Sequence, residues 1–335
     1  QRKLFFVNFL EFYMLANKQM LNLKAHLSSI VKYIKNKNNV VFLGYPLHHN
    51  VGDLLIFQGT QQFFADNDIH VKFYRSVLDY NVDELKKSID AETTLICHGG
   101  GNFGDLYDVH QNLRISLVEN FKENRIIIFP QTAHFSDLDK LNHDISIFRK
   151  HSDVILFARD AKTFDLFQRF SDKVFLMPDM AHQLYGNLPI CNVENNEALY
   201  FLRVDKEKND LQLTYANNNE IRSVDWVDFI NPYEFRYEFL LKKISRIANK
   251  YNSSTMKNII YFLWDKHSSR VVNRSARYFS KYNVIITSRM HGHILSCLVN
   301  RNSKIIDNSY GKNSGYFNEW TNKTELSSLL LKHEK

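Results

Sequence analysis

The chain has 335 residues, 44% hydrophobic and 14% aromatic, with 43 Lys and Arg against 36 Asp and Glu and a formal charge of +7. That length suits two domains, and that apolar content suits substantial cores, which excludes a disordered or low-complexity chain. The basic balance favours an anionic small molecule or an anionic membrane face. No nucleic-acid partner is expected, because the Lys and Arg residues are dispersed and no zinc-finger or RNA-binding signature occurs.

In chain order, the first stretch is Leu4 to Leu15, apolar apart from Asn8 and Glu11 and preceded by Arg2 and Lys3. Glu11 interrupts it as a signal-peptide core, no small-residue cleavage site follows, and it is too short to span a bilayer. An amphipathic helix over 1–36 is predicted, either packed on the fold or lying on the inner face of a membrane. Short apolar runs then alternate with helical periods, the pattern of an α/β protein. Strands are predicted at 40–43, 71–73, 94–97, 126–129, 154–157 and 174–176, with helices at 53–66, 82–88, 106–120, 139–150 and 161–170. The segment 177–197, punctuated by proline, glycine and asparagine, reads as a linker. A second series follows, with strands at 198–202, 223–225, 259–262, 284–287 and 304–306, helices at 232–251, 268–279 and 291–299, and a closing helix at 321–335. The expected architecture is two Rossmann-like domains, 37–190 and 191–335, facing a cleft into which strand ends point from both sides. Cys97, Cys191 and Cys297 lack CxxC spacing and sit in apolar surroundings, as buried thiols of a reducing compartment do.

The strand ends carry the chemistry. After 40–43 comes Gly44 to Asp53, where Asn50 and Gly52 make a tight turn and Asp53 either caps the next helix or acts as a base on a hydroxyl. His48 and His49 in that turn read as exposed loop residues, since no carboxylate nearby completes a ligand set, and no metal site is expected. After 94–97 comes Gly99-Gly100-Gly101-Asn102, followed by Asp105. A triple glycine there offers its amides to a ligand, or simply packs closely; it matches neither GxGxxG nor a Walker loop. Pro130-Gln131-Thr132 follows the next strand, and Ala158-Arg159-Asp160 the one after. Arg159 serves there as an anion contact or as the partner of a carboxylate. Arg203 ends the first strand of the second series. Lys312 stands on the glycine turn that follows the last one. Thr287-Ser288-Arg289-Met290-His291-Gly292 is the richest turn, joining a strand to a helix N-terminus that favours an anion. Arg289 has the fork for a carboxylate or phosphate, and His291 is suited to moving a proton. Arg159, Arg203, Arg289 and Lys312 together make a cage for a ligand of two or three negative charges.

This ordered set, Asn50-Val51-Gly52-Asp53, then GGGN at 99–102, Ala158-Arg159-Asp160, Pro178-Asp179, SRMHG at 288–292 and Tyr310-Gly311-Lys312, resembles the polysaccharide pyruvyl transferase family over residues 40–315. The resemblance implies a fold similar to GT-B glycosyltransferases. It also implies transfer of pyruvate from phosphoenolpyruvate to two hydroxyls of a bacterial surface polysaccharide, or of its lipid-linked precursor, as a ketal. The family's middle-strand arginine falls on Arg159 and its Arg-X-His on Arg289, Met290 and His291. The loop Tyr45–His49 is longer than the family's usual turn, a departure on the acceptor side. For such a transfer His291 is expected to act as acid or phosphate contact and Asp53 or Asp105 to orient or deprotonate acceptor hydroxyls, with Arg159, Arg203, Arg289, Lys312 and Gly99 to Asn102 binding substrate. No cofactor is required, and a cytoplasmic location, peripheral at the inner membrane face, is expected. Two rivals share the fold: a GT-B glycosyltransferase with a nucleotide-sugar donor, and a non-catalytic partner in capsule assembly.

Overall fold

Val40 and Phe42 belong to one apolar cluster, Val41 and Leu43 to another, and all four side chains are fully buried. A strand covered on both faces belongs inside a parallel sheet flanked by helices. The computed structural model, which describes residues 17–195, 197–203, 212, 223–307 and 311–330, places it there. This strand, β1 (Val40–Leu43), pairs in parallel with β2 (Val71–Arg75) on one side and β3 (Thr94–Cys97) on the other. Strands β5 (Ile126–His134), β6 (Val154–Ala158) and β7 (Lys173–Leu176) extend the sheet in parallel beyond β3, and β4 (Gly100–Gly104) pairs with the far end of β5. Helix α1 (17–28) and helix α2 (Val51–Asp66) cover the Phe42 face. On the Val41 face lie α3 (Val82–Ser88), α4 (Asp108–Asn120), α5 (Leu138–Phe148) and α6 (Ala161–Phe167). The chain therefore leaves β1 toward one face and leaves β3 and β4 toward the other. The gap between those two exits is a topological switch point, where open α/β sheets bind ligands.

The second sheet has the order β11 (Ser327–Leu329), β10 (Asn302–Ile305), β9 (Val284–Thr287), β8 (Leu199–Phe201), all parallel. Between β8 and β9 the chain makes a 3-10 turn, Trp226–Phe229, and a long helical hairpin, α7 (Pro232–Lys250) and α8 (Ser254–Ser280). Helix α9 (Met290–Leu298) follows β9, and α10 (Lys312–Tyr316) runs into a π turn, Phe317–Thr321. One apolar cluster runs from Met20 through Phe42, Phe57 and Phe129 to Trp264, Ile294 and Trp320, so side chains from both sheets' layers share a core.

Four expectations are corrected. The predicted strand 259–262 lies inside α8, where Lys257, Ile260, Trp264, Ser268 and Val271 are buried every three or four residues. Its apolar run is one face of a helix. Residues 223–225 form only a single bridge, Val224 to Phe201, before the 3-10 turn. The predicted closing helix over 321–335 gives way to turns and then β11, because the open edge of β10 captures 327–329, and tertiary pairing overrides local preference. Residues 331–335 lie outside the described residues. The strand β4, which begins at Gly100 within the triple glycine, was not among the predicted strands. The aromatic stretch Leu4–Leu15 also lies outside the described residues. No described helix is long and apolar enough to cross a membrane.

Candidate active site

The turn between β1 and α2 is fixed by Asn50, whose side-chain oxygen accepts from the Gly52 N–H at 3.0 Å. Asn50 is thus the N-cap, and Asp53 one turn in is released from that task. Asp53 Oδ2 stands 3.7 Å from His48 Nε2, and its Oδ1 would be 3.7 Å from a Cβ placed on Gly100. Across from this helix start is another: Arg289 N-caps α9, and His291 occupies the first turn. The two helix starts touch through the imidazole. A Cβ on Gly52 would lie 2.7 Å from His291 Nδ1, so only glycine leaves room for the ring.

The other ring nitrogen identifies the hub. His291 Nε2 is 3.3 Å from Asp179 Oδ2, and the same oxygen accepts from Arg159 Nη1. Arg159 and Asp179 are both wholly buried. Burial alone would raise the Asp179 pKa; the Arg159 guanidinium and the His291 imidazole outweigh it and hold the carboxyl well below its usual range. An ionised carboxylate only accepts, so Nε2 is the His291 nitrogen that donates in this contact, while Nδ1 faces the start of α2 at Gly52. The hub is braced from the chain's far end. Asp179 N donates to the Tyr316 hydroxyl at 3.0 Å, that hydroxyl pairs with His182 Nε2 at 2.8 Å, and Trp320 Nε1 donates to the Arg159 carbonyl at 2.7 Å. Burial pushes the His182 pKa down to about 4, so this ring is a neutral strut. Two cations complete the cluster at β4: a Cβ on Gly101 would stand 3.0 Å from Lys312 Nζ and 3.4 Å from Arg159 Nη2.

The cluster therefore gathers Asp53, Gly100, Gly101, Arg159, His291 and Lys312 around Asp179. Other predicted residues lie elsewhere or are engaged. Arg289 forks onto Asp225, Nε to Oδ1 at 2.8 Å and Nη2 to Oδ2 at 2.5 Å. Arg203 is buried; its N–H donates to Ser288 Oγ at 3.0 Å and its carbonyl accepts from Gln212 Nε2 at 2.7 Å, tying the ends of β8 and β9 together. Asn102 is held by Arg114, which donates to its side-chain oxygen and, at 2.9 Å, to its carbonyl. Gly99 packs against the β5 end, where a Cβ would meet the Pro130 carbonyl at 2.8 Å. Asp105 Oδ2 accepts from Ser136 N, Ser136 Oγ and Asp137 N at 2.6, 2.9 and 2.7 Å, which fixes the turn before α5. A cavity of about 310 Å³ opens beside Asp105 and is lined by none of the residues gathered at Asp179. His49 is not the exposed loop residue expected: it is buried, with Nδ1 2.6 Å from Glu238 Oε2 and Nε2 2.7 Å from His267 Nε2. Sequence reasoning noted Asp179 only as part of a junction dipeptide and missed His98. That ring is buried at the end of β3, where burial holds its pKa well below the usual value and neither nitrogen has a hydrogen-bond partner among the described residues. Among the described residues no group of three or more His, Cys, Asp or Glu side chains is arranged to hold a metal.

The comparisons with known proteins bear on this geometry. The model of the polysaccharide pyruvyl transferase family matches residues 50–310, a span that holds Asp53, Arg159, Asp179 and His291. The chain belongs to the polysaccharide pyruvyl transferase family. The Bacillus subtilis (strain 168) protein named "Putative pyruvyl transferase EpsO" is 34% identical over 318 residues, covering 94% of this chain and 95% of that one. "Pyruvyl transferase 1" of Schizosaccharomyces pombe is 27% identical over 315 residues, covering 89% of this chain and 74% of that one. A functionally uncharacterised protein of Klebsiella pneumoniae shares the fold, with a TM-score of 0.60 at 22% identity over 92% of this chain and 99% of that one. This pyruvyl transferase is accordingly an enzyme, which removes the reading as a non-catalytic assembly partner.

Proposed function

We propose that the enzyme transfers pyruvate from phosphoenolpyruvate to two hydroxyls of a bacterial surface polysaccharide, or of its lipid-linked precursor. The observation that carries this reading is Asp179, one buried carboxylate that holds Arg159 and His291 together beside the start of α2. Lys312 at Gly101, beside the buried Arg159–Asp179 pair, would meet a donor that bears a carboxylate and a phosphate, and the helix starts of α2 and α9 add their N-terminal dipoles. In this reading 37–190 and 191–335 are two GT-B-like halves over one cleft. Two parallel sheets, with the β6 and β9 exits both reaching Asp179, support it.

The reaction needs one proton delivered and two removed. His291 Nδ1 gives a proton to the methylene carbon of the enol, which becomes a methyl group, while the central carbon gains oxocarbenium character. One sugar hydroxyl adds there and loses its proton to the neutral His291 or to Asp53. The second hydroxyl closes the ketal as the C–O bond to phosphate breaks, and its proton leaves with the phosphate. Asp53, freed from capping by Asn50 and close to Gly100, is placed to orient or deprotonate the acceptor. We assign Arg289, through its fork to Asp225, to holding the α9 entrance rather than to the donor. Asp105 fixes the 136–137 turn in this reading. The enzyme works in the cytoplasm, against the inner membrane face where a lipid-linked acceptor would lie.

Mass analysis of a glycan acceptor tests the donor. Incubation with phosphoenolpyruvate should add one pyruvate less water and release one phosphate. Growth by a sugar residue with a nucleotide-sugar donor, and none with phosphoenolpyruvate, would overturn the reading in favour of glycosyl transfer.

A further inference from the structure

We infer that the outer face of the α7–α8 hairpin is a docking surface for an anionic bilayer. Eighteen large apolar side chains are exposed among the described residues, and ten of them belong to this hairpin and its tip, including Tyr233, Phe239, Leu240, Tyr251, Ile259 and Phe262. Scattered exposed apolar residues are ordinary; a concentration of them on one element is not. Phe239 is 70% exposed and Phe262 57% exposed. Their spacing explains why: Arg236, Phe239, Lys243, Arg246 and Lys250 recur every three or four residues along α7, as Ile259, Phe262, Lys266 and Arg270 do along α8. The opposite stripe, Leu241, Ser245 and Ala248 with Ile260, Trp264 and Val271, is buried in the fold. A short turn, 251–253, joins the two helices.

Charge decides the occupant. The exposed positions from Pro232 to Arg270 hold six cations, Arg236, Lys243, Arg246, Lys250, Lys266 and Arg270, and no carboxylate. Glu234, Asp265 and Glu238 are withdrawn from that face, paired respectively with Arg274, Gln58 and both His49 and Lys242. A second copy docked through the same face would bring two uncompensated cationic surfaces together. A sheet of anionic headgroups over acyl chains satisfies both the cations and the apolar side chains, as interfacial amphipathic helices do. The hairpin's inner side touches the acceptor side of the cleft: Glu238 and His267 hold His49, and Trp264 Nε1 donates to the Pro46 carbonyl at 2.5 Å. Docking through the outer face would therefore present the 45–50 loop, which leads into α2, to a lipid-linked glycan. This inference rests on the peripheral location proposed above and adds the surface that makes the contact.

The test is co-sedimentation of the full chain with phosphatidylglycerol-containing vesicles and with pure phosphatidylcholine vesicles. It compares the parent with Phe239→Ser/Phe262→Ser and with Lys243→Gln/Arg246→Gln/Lys250→Gln. The parent should prefer the anionic vesicles at low salt, and each variant should lose at least about tenfold in partitioning. Both variants should still transfer pyruvate to a water-soluble acceptor at the parental rate, which controls for folding. If the parent binds and both variants bind equally well, the inference falls while the peripheral location stands. If the parent ignores anionic vesicles, both fall. A parent that sediments as a dimer, with Phe239→Ser/Phe262→Ser monomeric and vesicle binding unchanged, would assign the face to a second copy and overturn the inference.

Discussion

Asp179 Oδ2 has two partners on a single oxygen, Arg159 and His291, and neither Asp179 nor Arg159 touches solvent. Taking the charge away leaves a buried guanidinium uncompensated, which typically costs about 3–5 kcal/mol. Asp179→Asn, which can still accept from Ala181 N, should lower the urea midpoint by a shift of that order. A loss under about 1 kcal/mol would show that the pair is not what holds this centre. The places of Arg159 and His291 were legible in the sequence because each stands at a strand end or helix start. Asp179 was not, because its role is a contact across 112 residues that no local pattern encodes. Arg289 shows the reverse limit: its position is legible, but the carboxylate that fills its fork, Asp225, becomes visible only when the 3-10 turn is folded against α9.

At the scale of elements, α2 sets the site by packing on the 3-10 turn Met180–Leu184 that Asp179 caps. A Cβ on Gly59 would stand 2.2 Å from the Met180 carbonyl oxygen, so the helix and the turn fit only around glycine. Gly59→Ala should cost about 1–3 kcal/mol by overpacking and should displace Asp179 with the turn. The variant is expected to lose turnover as well as stability at a site it does not touch. Full activity in a folded Gly59→Ala enzyme would separate α2 from the placement of Asp179. The alternation of β1, β3, β5 and β6 with helices was readable because strands buried on both faces are short apolar runs. The 259–262 run misled for the same reason: four apolar residues look alike in a strand and on a helix face, and only the buried spacing along all of Ser254–Ser280 separates them. The strand Ser327–Leu329 carries no apolar run of its own, and exists because β10 offers an edge.

Across the whole molecule, burial of neutral histidines makes stability depend on pH. Burial pushes the His182 pKa down to about 4 and the His293 pKa down to about 3, below the 6.5 of an exposed ring. Between those values the unfolded chain binds more protons than the folded one. The stabilisation is complete above pH 6.5 and is lost as the pH falls toward 4, with a slope of up to about 1.4 kcal/mol per unit for each ring. Asp179, depressed by Arg159 and His291 against its burial, adds a loss in the same direction once the pH falls below the ordinary carboxyl range. Urea midpoints should therefore drop from pH 7 to pH 5; a flat profile would contradict the buried, neutral state of these rings. The α/β class and the family were legible from the ordered motifs, and α7 and the second half of α8 from their helical periods; the cationic apolar face of that hairpin was not, because its outward residues follow from which stripe the core takes. The most direct test of the account is one turnover with phosphoenolpyruvate and a glycan acceptor in deuterated water, read by mass for the parent and for His291→Gln. The parent should yield a pyruvyl ketal with one deuteron in its methyl group, and His291→Gln should fall by about 10²–10⁴-fold while remaining folded. Pyruvyl transfer with no deuterium in the methyl group, or parental turnover by His291→Gln, would contradict proton delivery by His291 at Asp179.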